Sequence, residues 1–254
     1  MLLAIDAGNT QTVVGLFQGA ELVDNWRFAT VAERTSDELA LMVQQFLGFH
    51  GFSFDDSITG VAISSVVPRV TAELRQMTER YFGFPALVLE PGVRSGMPIQ
   101  YDNPKEVGAD RIANAVGAYD LYGGPTIVVD FGTATTIEAI SEKGEYLGGA
   151  VCPGVEVSID ALFGRAAGLR RVELVEPTHV IGKSSAESVQ SGLIYGFSAQ
   201  VDGIVDRFTE QLGPCEVVAT GGLAEPFLAH ARTLRYYEPW LTLYGLRIIF
   251  ERNR

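Results

Sequence analysis

The chain has 254 residues, of which 47% are hydrophobic, 10% aromatic and 20% charged, an ordinary globular composition that excludes disordered, collagenous and fibrous classes. Nineteen Lys and Arg against thirty-one Asp and Glu leave a formal charge of −12, so a nucleic acid would be repelled on average. The densest cationic stretches, Arg170-Arg171 and the tail residues Arg247, Arg252 and Arg254, are too small to reverse that. Cys152 and Cys215 have no metal-type spacing and read as reduced thiols. With no signal-peptide pattern at its start and no apolar run long enough to cross a bilayer, the chain is expected to be cytoplasmic, with neither nucleic acid nor membrane as a partner.

In chain order, residues 2–5 read as a short apolar strand that ends in Asp6-Ala7-Gly8-Asn9-Thr10. Strands at 11–17 and 21–27 follow, joined through Gln18-Gly19-Ala20. Thr35-Ser36-Asp37-Glu38 is a T-x-x-E capping-box pattern ahead of Leu39, Met42, Val43, Phe46 and Leu47 at helical spacing. A strand is expected at 61–65, a helix at 68–82 and a strand at 86–89. The stretch 91–108, with three prolines and three glycines, is a long loop of a length more often functional than accidental. The second half reads as a restart: a helix at 111–122, then a buried strand at 126–129 that runs into Asp130-Phe131-Gly132-Thr133-Ala134-Thr135-Thr136. Strands at 137–140 and 146–150 turn at Lys143-Gly144. Helices at 155–163 and 186–212, a strand at 216–220 running into Gly221-Gly222, and a short helix at 226–231 complete the reading.

The echo between the halves organises these elements. A strand ending in Asp-x-Gly-x-Thr at 6–10 has a close echo nearly half a chain later in Asp130-Phe131-Gly132-Thr133, where the threonine follows the glycine directly, and each copy opens a run of three strands followed by helices. That pattern points to a duplicated α/β domain with one phosphate loop per half; coincidence of a short motif is the competing explanation.

The loops suggest a chemistry. Glycine lets backbone approach a phosphate, and N–H groups and the Thr10 hydroxyl can donate to it. A carboxylate such as Asp6 tolerates a phosphate only with a cation between them, which implies Mg²⁺, held directly or through water. Asp130, Gly132 and Thr133 repeat the arrangement. Taken singly, each Asp-x-Gly is equally a tight turn after a strand. Gly182-Lys183-Ser184 resembles the end of a Walker A loop, but position 177, where that motif needs its first glycine, is Pro177. Gly108-Ala109-Asp110-Arg111 opens the helix after the long loop. An Asp there is ordinarily an N-cap, but beside an arginine and a phosphate site it can accept the proton of a substrate hydroxyl. His50, His179 and His230 are scattered and read as surface or turn residues.

In this order and spacing, Asp6-Ala-Gly-Asn-Thr10, Gly108-Ala-Asp-Arg111, Asp130-Phe-Gly-Thr-Ala-Thr-Thr136, Gly148-Gly-Ala-Val-Cys-Pro-Gly154, Thr220-Gly-Gly222 and Leu243-Tyr-Gly-Leu-Arg247 resemble the type III pantothenate kinases over essentially the whole chain. That family belongs to the superfamily of actin, the sugar kinases and the heat-shock ATPases. The resemblance implies an α/β fold of two tandem ribonuclease H-like (actin-like ATPase) halves, 1–108 and 109–254, with ATP in the cleft between them. It also implies transfer of the γ-phosphate of ATP to the primary hydroxyl of pantothenate, the first step toward coenzyme A. Carried over by position, Asp6, Ala7, Gly8, Asn9, Thr10, Gln11, Thr12 and Val13 would form the first phosphate loop and Thr133 would touch ATP. Asp110 would be the general base, and Tyr101, Gly108, Ala109, Arg111 and Ser185 would contact pantothenate. Asp130 would bind the monovalent cation, K⁺ or NH₄⁺, that the family needs. The working form would be a homodimer whose substrate pocket the partner chain completes. Where the family carries Asn-Thr, this chain has Ser184-Ser185, so Ser185 keeps the hydroxyl and loses a methyl.

Two other readings compete. Another kinase or phosphatase of the superfamily would act on a sugar or polyphosphate, although such chains are generally longer and a polyphosphate channel sits poorly with a charge of −12. A non-catalytic accessory or regulatory protein would keep the fold and bind nucleotide as a signal, but it would have no need of a base at Asp110.

Overall fold

The computed structural model describes residues 1–52, 58–166 and 168–254. The strands are β1 (Leu2–Ala7), β2 (Gln11–Gln18), β3 (Glu21–Ala29), β4 (Gly60–Ser65), β5 (Leu87–Val88), β6 (Thr126–Phe131), β7 (Ala134–Ile140), β8 (Tyr146–Pro153), β9 (Glu216–Thr220) and β10 (Tyr236–Tyr237). The helices are α1 (Ser36–Gly48), α2 (Pro68–Met77), α3 (Ala109–Tyr122), α4 (Val155–Arg165), α5 (Ser185–Leu212) and α6 (Leu241–Arg252). One compact unit contains Met1–Pro98, Asp102–Gly117 and Leu241–Arg254; the other contains Ile99–Tyr101 and Ala118–Trp240. The units therefore do not follow the sequence expectation of a cut at 108/109: the chain leaves the first unit within α3 and returns to it with α6.

The two sheets carry the same order of strands. In the first unit it is β3-β2-β1-β4-β5; in the second, read from the other edge, it is β8-β7-β6-β9-β10. In each, the central strand pairs antiparallel with the second strand of a meander and parallel with the fourth strand. A shared four-residue motif could arise by chance, but a shared five-strand topology makes the duplication a property of the fold. Both sheets are mixed, and the buried parallel strands read as apolar runs because each has both faces covered.

In the first unit Leu3, Ile5, Val14 and Leu16 pack with Leu39, Val43 and Leu47 of α1 and with Val70, Leu74 and Met77 of α2. The expected capping box is formed: Glu38 N–H donates to the Thr35 hydroxyl at 3.3 Å, and Thr35 N–H donates to the Glu38 carboxylate at 2.8 Å. Helix α2 runs into a π-helical turn, Thr78–Phe82, so the expected helix at 68–82 is continuous but changes pitch. Helix α6, which no sequence pattern above anticipated, packs against β1, β2 and β4. It does so where β2 and β4 lack side chains: a Cβ on Gly15 would lie 2.7 Å from Leu243, and one on Gly60 would lie 2.2 Å from Phe250.

In the second unit Ile127, Val129 and Ile137 pack with Ile159 of α4, with Leu193, Val201 and Val205 of α5, and with Phe227. The short helix expected at 226–231 is a single 3₁₀ turn, Glu225–Phe227, continued by hydrogen-bonded turns in which the His230 and Ala231 N–H groups both donate to Phe227 O. Helix α5 begins after Ser184, whose hydroxyl accepts from Glu187 N–H at 3.2 Å.

Candidate active site

Asp6 and Asp130 hold the same place in their halves, one residue before the end of the central strand. After each comes a glycine whose N–H folds back to the carbonyl that opens the next strand: Gly8 N–H to Gln11 O at 3.0 Å, and Gly132 N–H to Ala134 O at 3.0 Å. These two amides close their own turns. What each loop exposes is its tip: Asn9 and Thr10 in the first, Thr133 in the second. The first tip is tied to the meander, with Thr30 N–H donating to Thr10 O at 2.9 Å and the Thr12 and Thr30 hydroxyls 2.8 Å apart.

The second loop is walled by two further glycines. A Cβ on Gly221 would lie 2.4 Å from Asp130 Oδ1 and 2.6 Å from both Phe131 N and Phe131 O; at φ +94° the residue is also in a backbone region that side chains rarely adopt. A Cβ on Gly154 would lie 2.1 Å from Thr133 O. Gly221, directly after β9, is thus what leaves room for the Asp130 carboxylate.

Asp110 is the second residue of α3. Its cap is Gly108, whose carbonyl accepts the Ile112 N–H at 3.1 Å, so the N-cap role open to Asp110 in the sequence belongs to the glycine two positions earlier. The Asp110 carboxylate instead folds back beside the helix start. Its Oδ1 accepts the Arg111 N–H at 2.8 Å and lies 2.4 Å from where a Gly108 Cβ would stand. Burial raises the Asp110 pKa above the ordinary carboxylate value; the Arg111 N–H and the Arg111 guanidinium, which favour the charged form, offset this only in part. The result is a partly desolvated carboxylate with more basicity than a surface aspartate.

The remaining expected positions lie in the second unit. Tyr101 sits in the segment Ile99–Tyr101, its ring tilted at 56° against Tyr146 with centroids 6.4 Å apart. Ser185 is the first residue of α5 and, with Lys183, Ser184, Ser188, Ser158 and Leu162, lines a cavity of about 840 Å³. Among the described residues no group of three or more His, Cys, Asp or Glu could hold a metal ion.

A profile of the type III pantothenate kinases matches residues 2–207. The chain belongs to the type III pantothenate kinase family. A type III pantothenate kinase of Streptomyces griseus is 54% identical over 261 aligned residues, covering 100% of this chain and 98% of the relative. Solved structures share the fold at lower identity. Component A of the (R)-2-hydroxyglutaryl-CoA dehydratase of Acidaminococcus fermentans gives a TM-score of 0.59 at 15% identity, covering 100% of this chain and 99% of that one. The inorganic polyphosphate/ATP-glucomannokinase of an Arthrobacter strain gives 0.52 at 15% identity, with the same coverage. The actin-like duplicated fold expected for a type III pantothenate kinase is thus present in both halves.

Proposed function

We propose that the protein transfers the γ-phosphate of ATP to the primary hydroxyl of pantothenate, with Asp110 as the base that accepts the hydroxyl proton. Its membership of the type III pantothenate kinases gives the reaction. The observation that carries the assignment of the base is the half-buried, pKa-raised carboxylate of Asp110, which the Arg111 N–H holds at the start of α3 in the room that Gly108 leaves. Phosphoryl transfer rests mostly on positioning and charge stabilisation. Gly108, Ala109, Arg111, Tyr101 and Ser185 are assigned to orient the acceptor. The first phosphate loop, Asp6 through Val13, and Thr133 of the second loop are assigned to ATP. Mg²⁺, when bound, supplies neutralisation of phosphate charge, and Asp6 is the side chain that would hold it. Asp130, whose carboxylate is fitted against Gly221, is assigned to K⁺ or NH₄⁺. We also infer a homodimer working in the cytoplasm; no helix among the described residues is long and apolar enough to cross a membrane.

The direct test is ADP release from ATP and Mg²⁺ in K⁺ buffer, with and without pantothenate. Pantothenate-dependent ADP is the expected result, and ADP formed equally without an acceptor would overturn the substrate. Two predictions accompany it. Activity is expected to fall at least several-fold when K⁺ is replaced by Na⁺ at constant ionic strength; equal rates in K⁺, NH₄⁺ and Na⁺ would remove the cation role from Asp130. Ser185→Ala is expected to raise KM for pantothenate roughly five-fold with kcat little changed, the usual cost of one neutral hydrogen bond. A KM that does not move would remove Ser185 from the substrate site.

A further inference from the structure

The three residues Ile99–Tyr101 belong to the second unit, although the chain before them, Met1–Pro98, and after them, Asp102–Gly117, belongs to the first. They are docked mainly on Tyr146, with Gln100 Nε2 also donating to Glu145 Oε1 at 3.4 Å. Ile99 forms an isolated parallel bridge with Tyr146, Gln100 N–H donates to Tyr146 O at 2.8 Å, and the Tyr101 ring leans on the Tyr146 ring. Gly148 completes the seat: a Cβ there would be in ordinary contact, 3.5 Å, with the Tyr101 ring. Tyr146 is fully buried, and its hydroxyl donates to the carboxylate of Glu138, which is also fully buried in β7. That carboxylate has room only because residue 149, opposite Glu138 in the sheet, is glycine; a Cβ there would lie 2.5 Å from Glu138 Oε2.

An acidic side chain inside a sheet is a costly choice where an apolar one would fill the space. Here it anchors the ring against which Tyr101 leans, since a hydrogen bond at the hydroxyl holds the tip of the ring in place. We propose that Glu138 and Tyr146 are positioning residues that set the place of Tyr101 and, through it, the affinity for pantothenate; this rests on the reading of Tyr101 as a pantothenate contact. Neither residue touches the substrate in this arrangement. Their effect is on KM for the acceptor, with the phosphoryl-transfer step and the ATP loops left as they are.

The test is steady-state kinetics of the full chain carrying Tyr146→Phe, Tyr101→Ala, their combination, and Glu138→Gln. Tyr146→Phe removes only the hydroxyl and is expected to raise KM for pantothenate about five-fold, with kcat and KM for ATP within about two-fold of the parent. Glu138→Gln keeps an oxygen to accept the Tyr146 proton and is expected to stay within about two-fold in all three constants. In the Tyr101→Ala background, Tyr146→Phe is expected to add nothing, because its effect passes through the ring already removed. If Tyr146→Phe gives no folded protein, Glu138→Leu deprives the phenol of the same acceptor at similar volume and carries the same expectation. A Tyr146→Phe effect that adds fully to that of Tyr101→Ala, or one that lowers kcat and weakens ATP as much as pantothenate, would overturn the proposal. A raised KM in Tyr101→Ala with none in Tyr146→Phe would overturn it while leaving Tyr101 in the substrate site. An unchanged KM in Tyr101→Ala would instead overturn the underlying reading, and the proposal with it.

Discussion

Replacing Asp110 by asparagine is expected to lower kcat by on the order of 10²–10⁴ while leaving ATP affinity unchanged. The substitution keeps the size of the side chain and an oxygen that can accept the Arg111 N–H, so the start of α3 has no reason to rearrange. What it removes is the carboxylate able to take a proton. The same residue sets a pH dependence. A base must be ionised to act, and burial raises the Asp110 pKa, so the acid limb of kcat/KM is expected above the ordinary carboxylate range of about 4. The stability consequence has the opposite sign. A carboxyl whose folded pKa lies above its unfolded value loses its proton more readily in the unfolded chain, so stability falls as pH rises from the unfolded pKa through the folded one. At neutral pH the Asp110 charge therefore costs stability, and the asparagine variant should melt no lower than the parent. Thermal unfolding at pH 7 together with turnover checks both halves of the expectation. Retained turnover would remove the general-base role, and a marked drop in melting temperature would show that the carboxylate is structural.

The duplication was legible because its signal is local: a strand, a carboxylate, a glycine and a threonine, twice. The T-x-x-E box at Thr35 was legible for the same reason, as every partner lies within four residues. Helix α6 was missed because its meaning is non-local. Leu243, Leu246 and Ile249 are apolar at helical spacing, but nothing nearby announces that they return to a sheet begun at the other end of the chain. The function of individual glycines was missed in the same way. Gly221, Gly149 and Gly245 look alike in the sequence; in the fold one makes room for the Asp130 carboxylate, one for the Glu138 carboxylate and one for the backbone of another helix. Asp110 stands out in the sequence as a candidate, but its environment does not, since desolvation depends on residues far along the chain and the Gly108 cap on where the helix begins. Glu138 and Tyr146, separated by a turn and each unremarkable alone, gave no pattern that sequence reading could weigh.

Gly245→Ala is expected to destabilise the protein by about 3 kcal/mol, the upper part of the range for forcing atoms into a filled interior. Helix propensity alone predicts the reverse, because alanine is favoured over glycine by about 1 kcal/mol at an exposed helical position. Contact decides the sign. In the first unit α3 and α6 pack through small residues: a Cβ on Gly245 would stand 1.8 Å from Ala113 O and 2.5 Å from Ala113 C, and one on Gly117 would stand 2.9 Å from Leu241 O. The atoms met are backbone, so no rotamer change relieves the clash and one helix must move by more than an ångström. Such a shift would also strain the hydrogen bond from Thr242 Oγ1 to Asn114 Oδ1, 2.7 Å long, that joins the two helices beside the contact. Asp110 stands one helical turn before Ala113 on α3, so the same displacement is carried toward the proposed base. Thermal unfolding at matched protein and ligand concentrations should show a fall of roughly 10 °C, at 2–4 °C per kcal/mol for a chain of this size. An unchanged or raised melting temperature would mean that α3 and α6 do not approach each other as closely as Ala113 and Gly245 require.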